Sequence, residues 1–155
     1  MTARVAAGDF WHVGIIVENL DNAREGLAVE MGIALGPTMT FPFPQLIDRV
    51  GHRSVDLNVA FTTGEPPYLE LIEAVDDGGI YSLSSATGLH HLGYWADMHE
   101  QPSPYTLENL GAEALVLEED GALRAAYLGG GTGGAVRFEI ISRAMRDDIF
   151  GVLRS

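Results

Sequence analysis

Two stretches of this chain are copies of one pattern, and the pattern dictates how the chain can fold. "HVGIIVENLDNAREGLAVEMG" runs from His12 to Gly32, and "HLGYWADMHEQPSPYTLENLG" runs from His91 to Gly111. His12 and His91 lie 79 positions apart, as do Gly14 and Gly93, and Gly32 and Gly111. Each copy reads His-apolar-Gly, an apolar run, a polar turn and a helical segment ending in Gly, where a left-handed C-cap is expected. Each half also closes alike, on an apolar strand carrying one glutamate: "PYLELIEAV" with Glu70 and "AVRFEIISR" with Glu139. A duplication of this kind implies two similar modules that bury their apolar faces together.

The fold class expected from the residues is α+β: each half reads as strand, helix and three strands, a βαβββ module. The 155 residues make one domain, with an N-terminal module over 8–76 and a C-terminal module over 86–143. Strands are expected near 10–18, 38–43, 55–62, 67–74, 89–97, 114–118, 123–129 and 135–142. Helices are expected near 21–31 and 102–110, with a short C-terminal turn near 144–150. The first half is about ten residues longer than the second. The Pro- and Phe-rich phrase "PTMTFPFPQLIDRVGHR" accounts for the excess as a long loop or irregular hairpin.

Strand alternation then nominates a site. His12, Gly14 and Ile16 share one face, as do His91, Gly93 and Trp95. Trp11 should face the other way, and His90 should face the other way or lie in the preceding turn; surface exposure is the first reading for His90, and a place behind a ligand or against the substrate the second. A lone charged group inside an apolar strand is costly to bury unless it is paired or bound to a metal. Here His12, Glu70, His91 and Glu139 occupy matching places in the two halves. If the halves pack about a pseudo-twofold axis, the four converge as a nitrogen and oxygen ligand set for one divalent ion with open water positions. Mg, Mn, Co, Ni, Fe and Zn all suit such donors, and the sequence does not choose among them.

Composition narrows the chemistry. There is no Cys, which excludes disulfides and thiolate catalysis. All nine basic residues are Arg, against 22 acidic residues, for a net charge of −13. That field disfavours nucleic acid as a partner, and the lack of Lys removes Schiff-base chemistry. No segment reaches the ~20 apolar residues of a membrane span, and the N-terminus has no signal-peptide core, so a cytoplasmic protein with no membrane partner is expected. "LGGGTGG", residues 128–134, lacks the Lys-Ser/Thr of a phosphate loop and reads as a hairpin.

The phrases "FWHVGIIVENLDNAREGLAVEMG", "YLELIEAV", "GLHHLGYWAD" and "VRFEII" resemble the vicinal oxygen chelate superfamily, the glyoxalase, bleomycin-resistance and dioxygenase group. "GLHHLGYWAD" looks like the opening of the second module in methylmalonyl-CoA epimerases. The resemblance implies that the two βαβββ modules form a cupped mixed sheet around a metal, with ligation by His12, Glu70, His91 and Glu139, and a homodimer. It also implies proton abstraction next to a metal-chelated carbonyl, as in an isomerase, epimerase or lyase acting on a small-molecule substrate. Glu139 or Glu70 would serve as base, with Asp48 and Glu73 as lesser candidates. Phe41, Phe43 and Trp95 would wall the substrate, and Arg49, Arg53 and Arg124 sit in loops within reach of anionic groups. The alternatives are a small-molecule or antibiotic-binding protein of the bleomycin-resistance type, which commonly lacks the ligands, and a dioxygenase, which needs only two His and one carboxylate. His52 and His99 are read as loop residues.

Overall fold

A computed structural model describes residues 4–85, 88–98, 101, 103–129, 133–134 and 136–155. Among these residues, eight strands form one closed barrel in the order β1-β4-β3-β2-β6-β7-β8-β5. The strands are β1 (Phe10–Val17), β2 (Met39–Asp48), β3 (Gly51–Phe61), β4 (Tyr68–Glu73), β5 (Leu89–Ala96), β6 (Ala114–Leu117), β7 (Leu123–Leu128) and β8 (Phe138–Ser142). Each half contributes four neighbouring strands in equivalent order. The halves meet along two antiparallel seams, β1 with β5 and β2 with β6. Within each half the first and fourth strands pair in parallel. The helices that make those parallel crossovers possible lie outside the barrel.

Helix α1 (Leu20–Met31) begins where the Asn19 side chain accepts a hydrogen bond from the Asn22 amide at 2.8 Å. It ends at Gly32, whose φ of 66° is the left-handed value the repeat implied. In the second copy, helix α2 covers only Leu107–Leu110, from a Thr106 cap to Gly111 at φ 60°. The helix expected over 102–110 is thus shortened to its last turn, because Pro104 cannot donate within a helix and Thr106 takes the cap. The excess of the first half is not a loop: it lengthens β2 and β3 into a hairpin turned at Arg49 and Val50. A register shift between Phe43 and Leu46 absorbs Pro44. The expected C-terminal turn is helix α3 (Arg146–Leu153), entered through a 3₁₀ turn at Arg143–Met145. Part of "LGGGTGG", and His99, lie outside the described residues; β7 and β8, which flank the glycines, pair antiparallel. His52 belongs to β3 rather than to a loop.

Aromatic residues fill one end of the barrel. Trp11 and Trp95 stack with ring centroids 4.3 Å apart, and Phe150 of α3 packs edge-on against Trp11, Trp95 and Tyr68 at 5.5–6.0 Å. Outside the barrel, Leu20 of α1 packs on Ala60 and Leu71, and Leu110 of α2 packs among Ala96, Leu115 and Ile140. Among the described residues, no helix is long and apolar enough to cross a membrane.

Phe150 is 6% exposed and closes the aromatic end of the barrel. Removing a buried Phe side chain costs about 3–5 kcal/mol. Phe150→Ala should lower unfolding free energy by about 3 kcal/mol in urea titration. A loss below about 1 kcal/mol would mean that α3 is not part of the cooperative core.

Candidate metal centre

Register explains the repeated His-apolar-Gly motif. Across the first seam His91 pairs with Gly14, and Gly14 pairs on its other side with Glu70. In the matching row His12 pairs with Gly93, and Gly93 with Glu139. Each glycine therefore lies between the histidine of the other half and the glutamate of its own half. A β-carbon built on Gly14 would fall 2.0 Å from the nearest atom of the His91 ring, and one on Gly93 1.9 Å from that of the His12 ring. The glycines are absent side chains that give the imidazoles room to turn inward.

The result is a cluster of four buried residues from one chain. One donor atom from each of His12, Glu70, His91 and Glu139 lies within 4.8 Å of all the others. His12 Nε2 and His91 Nε2 are 2.8 Å apart. Glu139 Oε2 stands 3.0 Å and 3.1 Å from them, and Glu70 Oε2 3.3 Å from each. An ion with ligand bonds of about 2.1 Å in octahedral array has adjacent donors about 3.0 Å apart, so these separations fit a first-row divalent ion or Mg.

Charge fits as well. Burial works against protonating His91, but the Glu139 and Glu70 carboxylates outweigh it and lift its pKa to about 9. His12 is raised by the same balance. Burial pushes both carboxylates upward, yet the histidines win and hold Glu70 low and Glu139 well below the usual range. Geometry limits the outcome: facing nitrogens 2.8 Å apart have room for one proton between them, so at most one ring is cationic. Two carboxylates and one imidazolium leave the cluster net negative, and a divalent cation relieves that charge and displaces the proton.

The two halves support their ligands differently. Tyr127 donates to Glu139 Oε1 at 2.6 Å, and the Tyr127 and Tyr81 hydroxyls are 2.7 Å apart. Burial beside Glu139 keeps both phenols protonated, with pKa values well above 10. The counterpart of Tyr127 beside Glu70 is Phe61, which pairs with Glu70 as Tyr127 pairs with Glu139. Phe61 has no hydroxyl, and among the described residues Glu70 has no tyrosine anchor. His90 and Trp11 form a second unlike pair. Both are buried inside the barrel, contrary to the alternation, because each is the extra residue of a β-bulge immediately before its histidine. His90 is therefore not a surface group. Burial, reinforced by the neighbouring His91, lowers its pKa to about 3.

A small cavity adjoins the cluster. Trp11, Phe41, Phe43, Phe61, Ile141 and Ile149 line it together with Glu70, Glu139 and Arg124. Phe41 and Phe43 thus stand where a substrate wall was expected. Trp95 does not: it is stacked behind Trp11, which the bulge has turned into that place. Asp48 is bound by Arg53 and by the Ile80 amide, and Glu73 accepts from the Leu20 amide at the start of α1. Neither borders the cavity. Arg53 lies in β3 and Arg124 in β7, not in loops. Arg49, in the hairpin turn, is spent on the Gly78 and Gly79 carbonyls.

A sequence profile of the Glyoxalase/Bleomycin resistance protein/Dioxygenase superfamily matches residues 11–122, and the chain belongs to that superfamily. Solved structures share the fold. A point variant of Streptomyces coelicolor methylmalonyl-CoA epimerase, in complex with 2-nitronate-propionyl-CoA, superposes with a TM-score of 0.55 at 16% identity, covering 91% of this chain and 99% of that one. Methylmalonyl-CoA epimerase from Mycobacterium tuberculosis gives 0.55 at 17% identity, with 96% and 95% covered. A hypothetical protein from Bacillus halodurans C-125 gives 0.52 at 15%, with 92% and 96% covered. No curated protein matches the chain.

Two tests follow. A methyl group at position 93 leaves no space for the His12 ring, so Gly93→Ala should destabilise the protein by about 1–3 kcal/mol and abolish tight binding of Mn or Zn in chelator competition. Wild-type affinity in that variant would contradict the row geometry. The second test is pH. The folded pKa of His91, about 9, exceeds its unfolded value of 6.5. Its contribution to stability is complete below pH 6.5 and is lost as pH rises through about 9. In EDTA the melting temperature should fall over that window in wild type, and the fall should be smaller in His91→Gln. An identical pH profile in the two proteins would contradict the assignment.

Proposed function

We propose that the protein is a metal-dependent isomerase or epimerase that removes a proton next to a carbonyl, with His12, Glu70, His91 and Glu139 holding the ion. The observation that carries this reading is the buried two-histidine, two-glutamate cluster whose glutamates line a cavity. A divalent ion bound there supplies a Lewis acid that stabilises negative charge on a carbonyl oxygen and makes the adjacent C–H removable.

The chain's own residues divide the remaining work unequally. Glu139 is fixed through Tyr127 and keeps its second oxygen on the two histidines. Glu70 meets the same histidines through Oε2 and, among the described residues, has no tyrosine anchor, while both glutamates line the cavity. Glu70 is therefore the carboxylate better placed to swing free, take the substrate proton and return it to carbon. The aromatic and aliphatic walls keep water from the exchanging proton. Arg124, above the Phe43 ring at 5.0 Å, lies where it can orient an anionic group of the substrate. The match to epimerase folds makes acyl-CoA thioesters one class of substrate to try, and 2-oxo acids the other.

The experiment is proton exchange into D₂O, followed by NMR on acyl-CoA and 2-oxo substrates with protein loaded with Mg, Mn, Co, Ni, Fe(II) or Zn. Wild type with one ion per chain should exchange the proton next to the carbonyl. Glu70→Gln should keep the ion and lose about 10²–10⁴ of the rate, whereas Glu139→Ala should lose the ion itself. Undiminished exchange by Glu70→Gln would remove Glu70 as base. A wild-type protein that binds these compounds and the ion without exchange would favour a sequestering role.

A further inference from the structure

The buried imidazole of His90 has no place in the ligand set, yet its two ring nitrogens are both engaged. Nε2 is 2.7 Å from the Ile80 carbonyl oxygen, and Nδ1 is 2.8 Å from His91 Nδ1. A carbonyl only accepts, so Nε2 of His90 must carry a proton. The ring is 2% exposed and touches a carbonyl and an imidazole, neither of them anionic, so it is neutral and its Nδ1 is a lone pair. His91 must then donate from Nδ1. An imidazole that carries its proton on Nδ1 turns a lone pair outward on Nε2, the atom that faces His12, Glu70 and Glu139.

We propose that His90 is a positioning residue that fixes His91 in the Nδ1–H form required for ligation, through a relay running from the Ile80 carbonyl to the cluster. The relay belongs to the second half alone. At the matching place 79 positions earlier stands Trp11, whose ring meets His12 at 4.0 Å but does not accept from it, and His12 Nδ1 has no hydrogen-bond partner among the described residues. The bulge that turns His90 inward, the Tyr81 ring stacked on it at 5.7 Å and the carbonyl beyond it all hold this one acceptor in place. His91 is thus preset for an ion, whereas His12 is set by the ion itself. Ligating histidines oriented in this way lose about 10–100-fold in metal affinity when the orienting partner is removed.

The inference rests on the metal-centre reading, and its test separates the two. Two variants are compared. His90→Asn places an amide oxygen near the former Nδ1 and can still accept from His91; His90→Leu cannot accept. Zinc and cobalt affinities are measured by chelator competition, with melting curves to establish folding. His90→Leu should bind about 10–100-fold more weakly than wild type, and His90→Asn should recover most of the loss. Equal affinity in all three proteins, or equal loss in both variants, would overturn the relay. Independently, ¹⁵N–¹H correlation spectra of the metal-free wild type should show His90 neutral with its proton on Nε2. A proton on His90 Nδ1 would overturn the proposal whether or not an ion binds. Failure of wild type to bind any ion would instead defeat the metal-centre reading and leave the spectra to decide the relay.

Discussion

Everything in this barrel depends on four ionisable side chains meeting in a dry interior. Burying charge without compensation is among the costliest things a small protein can do, so the four must neutralise one another or a cation. The strand register brings them together by setting Gly14 between His91 and Glu70, and Gly93 between His12 and Glu139. The two rows are related by the duplication, and each supplies the space that the other's imidazole fills. The parallel pairing within each half, the antiparallel seam between β1 and β5, and the helices outside the barrel all follow from keeping these rows in register.

Symmetry sets the positions of the ligands, and its failures set their freedom. Tyr127 anchors Glu139, but Phe61 offers Glu70 nothing. His90 accepts from His91, but Trp11 accepts nothing from His12. The second half is rigid and polar behind its ligands; the first is aromatic behind its own. The proposed function, gripping an ion and moving a proton, calls for both kinds of support, and a duplicated chain can obtain them by changing one residue of each matched pair.

Much of this was legible in the sequence. The 79-residue offset located both histidines, both glutamates and both helix-ending glycines, because a duplication preserves spacing. It could not show why Gly14 and Gly93 recur, since the reason lies across the sheet. Strand alternation failed at Trp11 and His90, where one extra residue turns the side chain inward without any local signal in composition. For the same reason Trp95 stood in for Trp11 as a wall residue. Proline acted as expected in shortening α2, yet Pro42 and Pro44 sit inside a strand. The Tyr81–Tyr127–Glu139 chain links residues far apart in sequence that no motif connects.

The central claim is that these four side chains hold one divalent ion. The most direct test is anomalous diffraction from crystals of the protein loaded with Mn or Co, recorded on both sides of the metal absorption edge. The account predicts one strong peak per chain, about 2.0–2.3 Å from His12 Nε2, His91 Nε2 and one oxygen of each glutamate. A fully loaded crystal with its peak elsewhere, or with none at the cluster, would contradict it.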